Sequence, residues 1–255
     1  MRTKYLLRVQ GSLGPLVAML LLATCATISG PAPGDRFSAE PIRPVLYMPF
    51  DGDTRAFSVR HLSVTRMWGR SCRASFGPGI LSQAIRFDGS IAGVDVNGVY
   101  ALGIYDALTL EVWVNVDDSN RNGQDSAHIE TLIALGFYGG ERDRTIFKLA
   151  VDFDSWLPIG TVSTNMAGVH LRGDKVAPGS WHHVALGYAD SEGKVSLYVD
   201  GKLIAEQHLR GVLWQGGMLY IGHGPDRPYF GMMDELRIYR VLLNAEQIRA
   251  HAAAP

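Results

Sequence analysis

The chain has 255 residues, of which 47% are hydrophobic and 19% charged, a length and balance that suit one large domain with a single core. Its net charge is −1, and leaving out residues 1–25, which hold three basic and no acidic side chains, leaves 21 basic against 25 acidic residues. No basic surplus is left to neutralise phosphates, so nucleic-acid binding is excluded, and no run of like charge makes an interaction tail.

In chain order, Arg2, Lys4 and Arg8 precede an apolar stretch from Leu13 to Leu22 and small residues at Ala23, Thr24 and Ala26, the order of an export signal over residues 1–25. Leu22-Ala23-Thr24-Cys25 resembles a bacterial lipobox, which implies lipidation at Cys25; Thr24 departs from its pattern, and a plain signal cleaved nearby is the other reading. Under either reading Cys25 and Cys72 are not expected to form a disulfide. Residues 26–43 are rich in Pro and Gly without apolar periodicity, an extended tether, and the fold is expected over residues 44–255. The expected location is extracytoplasmic: secreted, periplasmic or lipid-anchored to the envelope. Membrane contact is expected only through that anchor.

The 29 Gly and 12 Pro fit many strands joined by tight turns. Strands are expected at Val45–Phe50, Ala84–Phe87, Gly93–Val96, Ile129–Gly136, Thr145–Asp152, Leu219–Ile221 and Asp234–Tyr239. Within Leu108–Val116, the residues Leu108, Leu110, Val112, Val114 and Val116 share one face, opposite Thr109, Glu111, Trp113 and Asn115. From His183 to Gln207 the pattern predicts a three-strand meander whose second turn, Asp200-Gly201, supplies the two positive-φ positions of a type I′ hairpin. Only the end reads as helical: Asn244 can cap, Gln247 completes a capping box, and Leu243 can staple against Ile248. The fold class is therefore all-β, an antiparallel two-sheet sandwich with a short C-terminal helix.

Several segments stand in a familiar order: Leu46–Asp53, Gln83–Gly89, Glu111-Val112-Trp113, Trp181–Ala185, Leu197–Lys202, Tyr220-Ile221-Gly222, Phe230–Tyr239 and Leu243–Ile248. Together, over Leu46 to Ile248, they closely resemble the bacterial laminin-G-like branch of the concanavalin A-like lectin/glucanase superfamily. The resemblance implies a jelly roll whose first and last strands pair. It also implies a module that binds carbohydrate or protein, often with calcium, although catalytic glycoside hydrolases and lyases share the fold.

Each chemistry has its own requirement. Retaining glycosidases of this fold resemble one another in carrying Glu-x-Asp-x-x-Glu or Glu-x-Asp-x-Glu, which sets two carboxyls about 5–5.5 Å apart. Here Glu141-Arg142-Asp143 is followed by Thr145 and Ile146, so neither spacing occurs. His182 and His183, adjacent on a strand, point to opposite faces and do not converge on one ion. If the first and last strands pair as the resemblance implies, Asp51, Asp53 and Asp234 bring hard oxygens together for a structural Ca²⁺, Asp51 foremost; the alternative is that Asp51-Gly52-Asp53 is a turn. Trp156, Trp214, Tyr138, Tyr229 and Trp68 lie in loop-like contexts near Asn120, Asn122, Asn165 and Gln215 and are candidates for stacking on a sugar ring. The long polar loop Asp117–Ala127 could also carry function.

The expected function is a non-catalytic recognition module for a carbohydrate or a surface protein. Two other readings stand: a diverged hydrolase or lyase, and a structural envelope domain.

Overall fold

The computed structural model describes residues 42–59, 62–67, 75–90, 93–118, 128–139 and 143–255. The expected signal, Cys25, most of the tether, Cys72, Trp68, Asn120, Asn122 and Glu141-Arg142 lie outside the described residues, as does most of the polar loop.

Two antiparallel sheets make the molecule. The first runs in the order β14 (Lys202–His208), β13 (Lys194–Val199), β12 (Trp181–Ala189), β7 (Ala107–Val116), β17 (Phe230–Tyr239), β1 (Leu46–Met48) and β2 (Phe57–Ser58). Beyond the end of β1, β5 (Gln83–Asp88) pairs with the first half of β17 and carries β4 (Ser75–Pro78) on its outer edge. The second sheet runs β11 (Gly168–Arg172), β10 (Leu157–Ser163), β9 (Arg144–Asp152), β8 (Ile129–Phe137), β15 (Met218–Ile221), β6 (Val94–Asn97) and β3 (Ser63–Met67). A short β16 (Arg227–Pro228) lies parallel to β8.

The alternation that predicts these strands also fixes their faces. Leu108, Leu110, Val112, Val114 and Val116 all belong to the main core, as do Val184, Leu186, Tyr188, Val195, Leu197 and Val199 of the meander. From the second sheet the core receives Phe147, Leu149, Val151, Val162, Leu219 and Ile221. Each such aliphatic side chain taken fully out of water contributes about 1.5–3 kcal/mol before entropy is counted, so a one-residue slip of any strand is prohibitive. Asp200 and Gly201 take φ of 48° and 74°, the type I′ turn, and return the chain into β14. The first and last strands, β1 and β17, pair as the resemblance implies, with Leu46 opposite Ile238.

The polar face of β7 is not solvated. It is roofed by α1 (Ala245–Ala253), capped by Asn244 with Gln247 in a capping box. Leu243 and Ile248 of this segment pack on Ala185, Tyr198 and Tyr239, with Ile42, a residue assigned to the tether, packing alongside. Beneath the helix Glu111 is fully buried. His251 Nδ1 lies 2.9 Å from Glu111 Oε1, the Tyr239 hydroxyl donates to the same oxygen at 3.2 Å, and His183 Nε2 approaches Oε2 at 3.6 Å. Arg237 links this group to Glu235 at 2.6 Å, and Glu235 accepts the Tyr47 hydroxyl. Burial pushes the Glu111 carboxyl up, but the two imidazoles more than offset it and hold it well below the ordinary carboxylate range.

Candidate functional site

The outward face of the second sheet carries the polar chemistry. Register places Asp95, Tyr220, Ala134, Lys148, Thr161 and His170 in one cross-strand row from β6 to β11. A second row runs Thr131, Ala150, Ile159, Arg172. These residues alternate with the core set above, so they share the face turned away from the first sheet.

At one end of this face a cavity of about 450 Å³ opens between the β8–β9 hairpin and the entry to β15. It is lined by Phe137, Tyr138 and Tyr220 together with Gly136, Gly139, Gly217 and Met218, and Asn97 contributes a carboxamide. Tyr138 and Tyr220 meet with ring centroids 5.1 Å apart, and Tyr220 meets His223 edge-on at 5.3 Å. His223 is fixed by Asp95 at 2.6 Å. The Tyr138 hydroxyl donates to Thr145 at 2.9 Å, and burial pushes its phenol up to about 12, so it is a neutral hydrogen-bonding group throughout the physiological range.

Beyond Gly222 the chain leaves the sheet, and residues 223–226 lie directly on the outward face. At Gly224 a Cβ would meet Thr131 Cγ2 at 2.8 Å, so only glycine allows the approach. Asp226 at the end of this excursion binds Lys148 at 2.7 Å and accepts the Thr131 hydroxyl at 2.9 Å.

The four aromatic candidates separate. Tyr138 lines the cavity. Trp214 lies on the loop leading to β15, 40% exposed, with the Arg144 guanidinium 3.9 Å from its ring centre and its indole N–H donated to Thr164 O. Next to it, Gly216 abuts the Phe137 ring, so Trp214 and Tyr138 sit at the same end of the sandwich. Tyr229 does not belong to the site. It is fully buried against Phe87, and its hydroxyl donates to the Asn115 and Met232 carbonyls, making it a core residue whose one polar atom is satisfied internally. Trp156 occupies the left-handed turn between β9 and β10 at φ 62°, and its half-buried ring packs on the core. Asn165 and Gln215 bond backbone groups of the loop residues Val212, Ile104 and Leu213. Sequence reasoning passed over Phe137, Tyr220 and Asn97. Tyr220 was legible as the outward residue between Leu219 and Ile221, but its partners became visible only through register.

The acidic candidates separate too. Asp53 pairs with Arg55 at 2.6 Å and accepts its backbone N–H. Asp51 accepts the Gln83 N–H at 3.3 Å. Asp234 is buried at the bulge of β17, accepts N–H bonds from Ile80 and Leu81 on Oδ2, and accepts its neighbour Glu235 on Oδ1. Burial first, and the charges of Glu235 and Asp51 after it, push the Asp234 carboxyl up to about 8. Among the described residues no three His, Cys, Asp or Glu side chains gather as a metal cluster. His182 and His183 diverge as expected: His182 holds Asp200 at 2.8 Å, whereas His183 is buried edge-on to Trp113.

Residues 88–249 match the sequence profile of the concanavalin A-like lectin/glucanases superfamily. The chain belongs to this family. No curated protein sequence matches it. Among solved structures it is similar to the binding domain of Paraclostridial Mosquitocidal Protein 1, at TM-score 0.64 and 15% identity over 82% of this chain and 52% of that one. It is similar to domain 4 of AbnA, a GH43 extracellular arabinanase from Geobacillus stearothermophilus in complex with arabinotriose, at TM-score 0.58 and 18% identity over 84% and 100%. A third is the binding domain of botulinum neurotoxin DC in complex with SialylT, at TM-score 0.61 and 12% identity over 82% and 50%. The chain spans about half the length of these toxin binding domains. At such identities the likeness establishes the jelly-roll fold; two of these neighbours are binding domains, and the third is in complex with arabinotriose.

Proposed function

We propose that the chain is a non-catalytic, extracytoplasmic recognition module whose ligand is a carbohydrate, contacted at the cavity of Tyr138. The observation that carries this reading is the cavity itself: aromatic walls for the apolar face of a sugar ring, and a carboxamide and a phenol for hydroxyl groups. Two of the similar solved structures hold a saccharide or a sialylated ligand by their titles, which supports the same class. Asp152 supports binding over hydrolysis. One of three carboxylates lining a second cavity at the far end of β9, it feels burial first, yet Arg172 and the backbone amides of Ser155 and Asp154 outweigh this and keep its carboxyl low, the wrong direction for a proton donor.

The test is a glycan array followed by calorimetry with the best linear oligosaccharide. Tyr138→Ala should weaken binding roughly ten- to thirtyfold, the size of an aromatic hot spot, while Tyr138→Phe should stay within a few-fold of the parent. A blank array would overturn the reading. Turnover of a bound glycan that disappears in Asp152→Asn would put the chain among the hydrolases and lyases.

The export signal gives a second expected result. Mass spectrometry of the native protein should find a mature start at or near Cys25, with a diacylglyceryl adduct where the lipobox is used. Recovery of intact residues 1–22 from a soluble cytoplasmic form would refute export.

We also propose a structural calcium ion held by Asp51 and Asp234. Its support is the closeness of the two carboxylates: Asp51 accepts the Gln83 N–H, Asp234 accepts the Leu81 N–H two residues earlier, and the charge of Asp51 is among the causes that push the Asp234 carboxyl up. These are hard donors of the type calcium takes. Asp53, committed to Arg55, is left out of the set. The ion would tie the end of β1 to the bulge of β17.

A further inference from the structure

We propose that His223 and Asp95, neither of which lines the Tyr138 cavity, are its positioning residues: the pair fixes the ring of Tyr220 and thereby sets how tightly a sugar is held. The inference rests on the carbohydrate reading above and deepens it by naming what controls that site.

The two tyrosines of the cavity are held differently. Tyr138 is anchored through its hydroxyl to Thr145 at 2.9 Å. Tyr220 is placed by its strand and by its ring contacts. On β15 it is the outward residue between Leu219 and Ile221, which belong to the core, and its cross-strand neighbours are Ala134 on β8 and Asp95 on β6. The methyl group of Ala134 is too small to brace a phenol ring from its side. The ring is instead held between Tyr138, with centroids 5.1 Å apart, and His223, edge-on at 5.3 Å.

His223 has little freedom of its own. Gly222, at φ 77°, turns the chain out of β15 directly before it. The imidazole then lies against the backbone of Gly93, where a Cβ would overlap its Cδ2, so only glycine leaves room for the ring. Its Nε2 is bonded to Asp95 Oδ1 at 2.6 Å, with the two side chains only 14% and 11% exposed. Turning the imidazole away would give up a hydrogen bond in a low-dielectric setting, which holds it in one orientation. Burial first, and the charges of Asp95 and Asp143 after it, push the Tyr220 phenol up, in keeping with a ring closed in on several sides.

A sugar stacks on an aromatic face that is already turned to it; a phenol that must be immobilised on binding costs about three- to tenfold in affinity. The pair therefore acts on the ligand through Tyr220 and without touching it.

The test combines calorimetry with chemical modification of the full mature chain. Arabinotriose, xylotriose and cellotriose are titrated, and nitration of Tyr220 by tetranitromethane is followed by peptide mass spectrometry, with the exposed Tyr100 and Tyr105 as internal references. His223→Ala should weaken whichever trisaccharide binds about three- to tenfold and speed nitration of Tyr220 against the references. Gly93→Ala, which changes no polar group but pushes the imidazole aside, should do the same. His223→Gln, whose amide can donate to Asp95, should recover most of both effects. Asp95→Ala should match His223→Ala, and the double substitution should be no worse than either, because the same contact is lost only once. A lower melting temperature with affinity and nitration unchanged would make the pair purely structural and overturn the inference, as would a change in one readout without the other. If no trisaccharide binds and the array is blank, the carbohydrate reading falls, and nitration alone decides whether the pair positions Tyr220: an unchanged rate in His223→Ala overturns that as well.

Discussion

Replacing Glu111 by alanine is expected to cost about 3–5 kcal/mol of stability, the range for removing one partner of a buried ionic group and leaving the others uncompensated. The carboxylate sits under α1, where it answers His251, His183, Tyr239 and Arg237 at once. Without it Arg237 keeps Glu235, but the two imidazoles face a void in low dielectric. Thermal melts should move down by roughly 6–20 °C for a domain of this size. Pairing the change with His251→Ala should reveal strong coupling, since the second substitution removes a contact that no longer exists. A loss below about 1 kcal/mol would mean that the network does not hold the helix. The sign in acid follows from the same contacts: a depressed carboxyl contributes stability in full above its unfolded value near 4.5, and that contribution fades only as pH falls toward its lower folded value.

Asp234 has the opposite slope and gives the second large effect. Its folded carboxyl titrates at about 8 against 3.8 for the free group, so the folded chain keeps a proton that the unfolded chain releases between these values. Stability is then fully present below about pH 4, declines as pH rises, and levels off above about 8. At 1.36 kcal/mol per unit the whole decline is on the order of 5 kcal/mol. Chelator-treated protein should therefore melt markedly lower at pH 8.5 than at pH 5.5. Asp234→Asn should flatten that difference, because an amide does not titrate. If the proposed calcium ion binds, it takes the place of this proton, so millimolar calcium should raise the melting temperature more at pH 8.5 than at pH 5.5 and should do so less in Asp51→Asn. Identical melting curves with calcium and with chelator at pH 8.5, on metal-free protein, would remove the ion and leave Asp234 as the group that ties Ile80 and Leu81 to β17.

Much of the fold was legible because a strand's face is a local property. Leu108 to Val116 alternate, and each aliphatic member reached the core. The end of the helix was legible for the same reason, since Asn244 and Gln247 are three residues apart. The environment of Glu111 was not, because the imidazole that holds it is 140 positions away and nothing in the strand's own pattern announces a roof. The site divides along the same line. Tyr138 stands out as an aromatic beside glycines, but its partner Tyr220 comes from a four-residue strand whose place is set by pairing with β6 and β8. Tyr229 misleads because it neighbours turn residues in sequence while its ring faces inward. Strands β2, β3, β4, β10, β11 and β16 were not among those expected; β2 and β16, of two residues each, carry no period to read.

The place of β17 sets the order in which the chain can fold. It lies between β7 on one side and β1 with β5 on the other, so the two halves of the first sheet have no direct bond until it is inserted. Leu46 waits for Ile238, almost two hundred residues later. During synthesis, then, the facing edges of β7 and of β1 with β5 stay open until the last strand has emerged from the ribosome. A nascent chain released before Phe230 would leave those edges exposed, and the first sheet closes only once Phe230–Tyr239 has emerged.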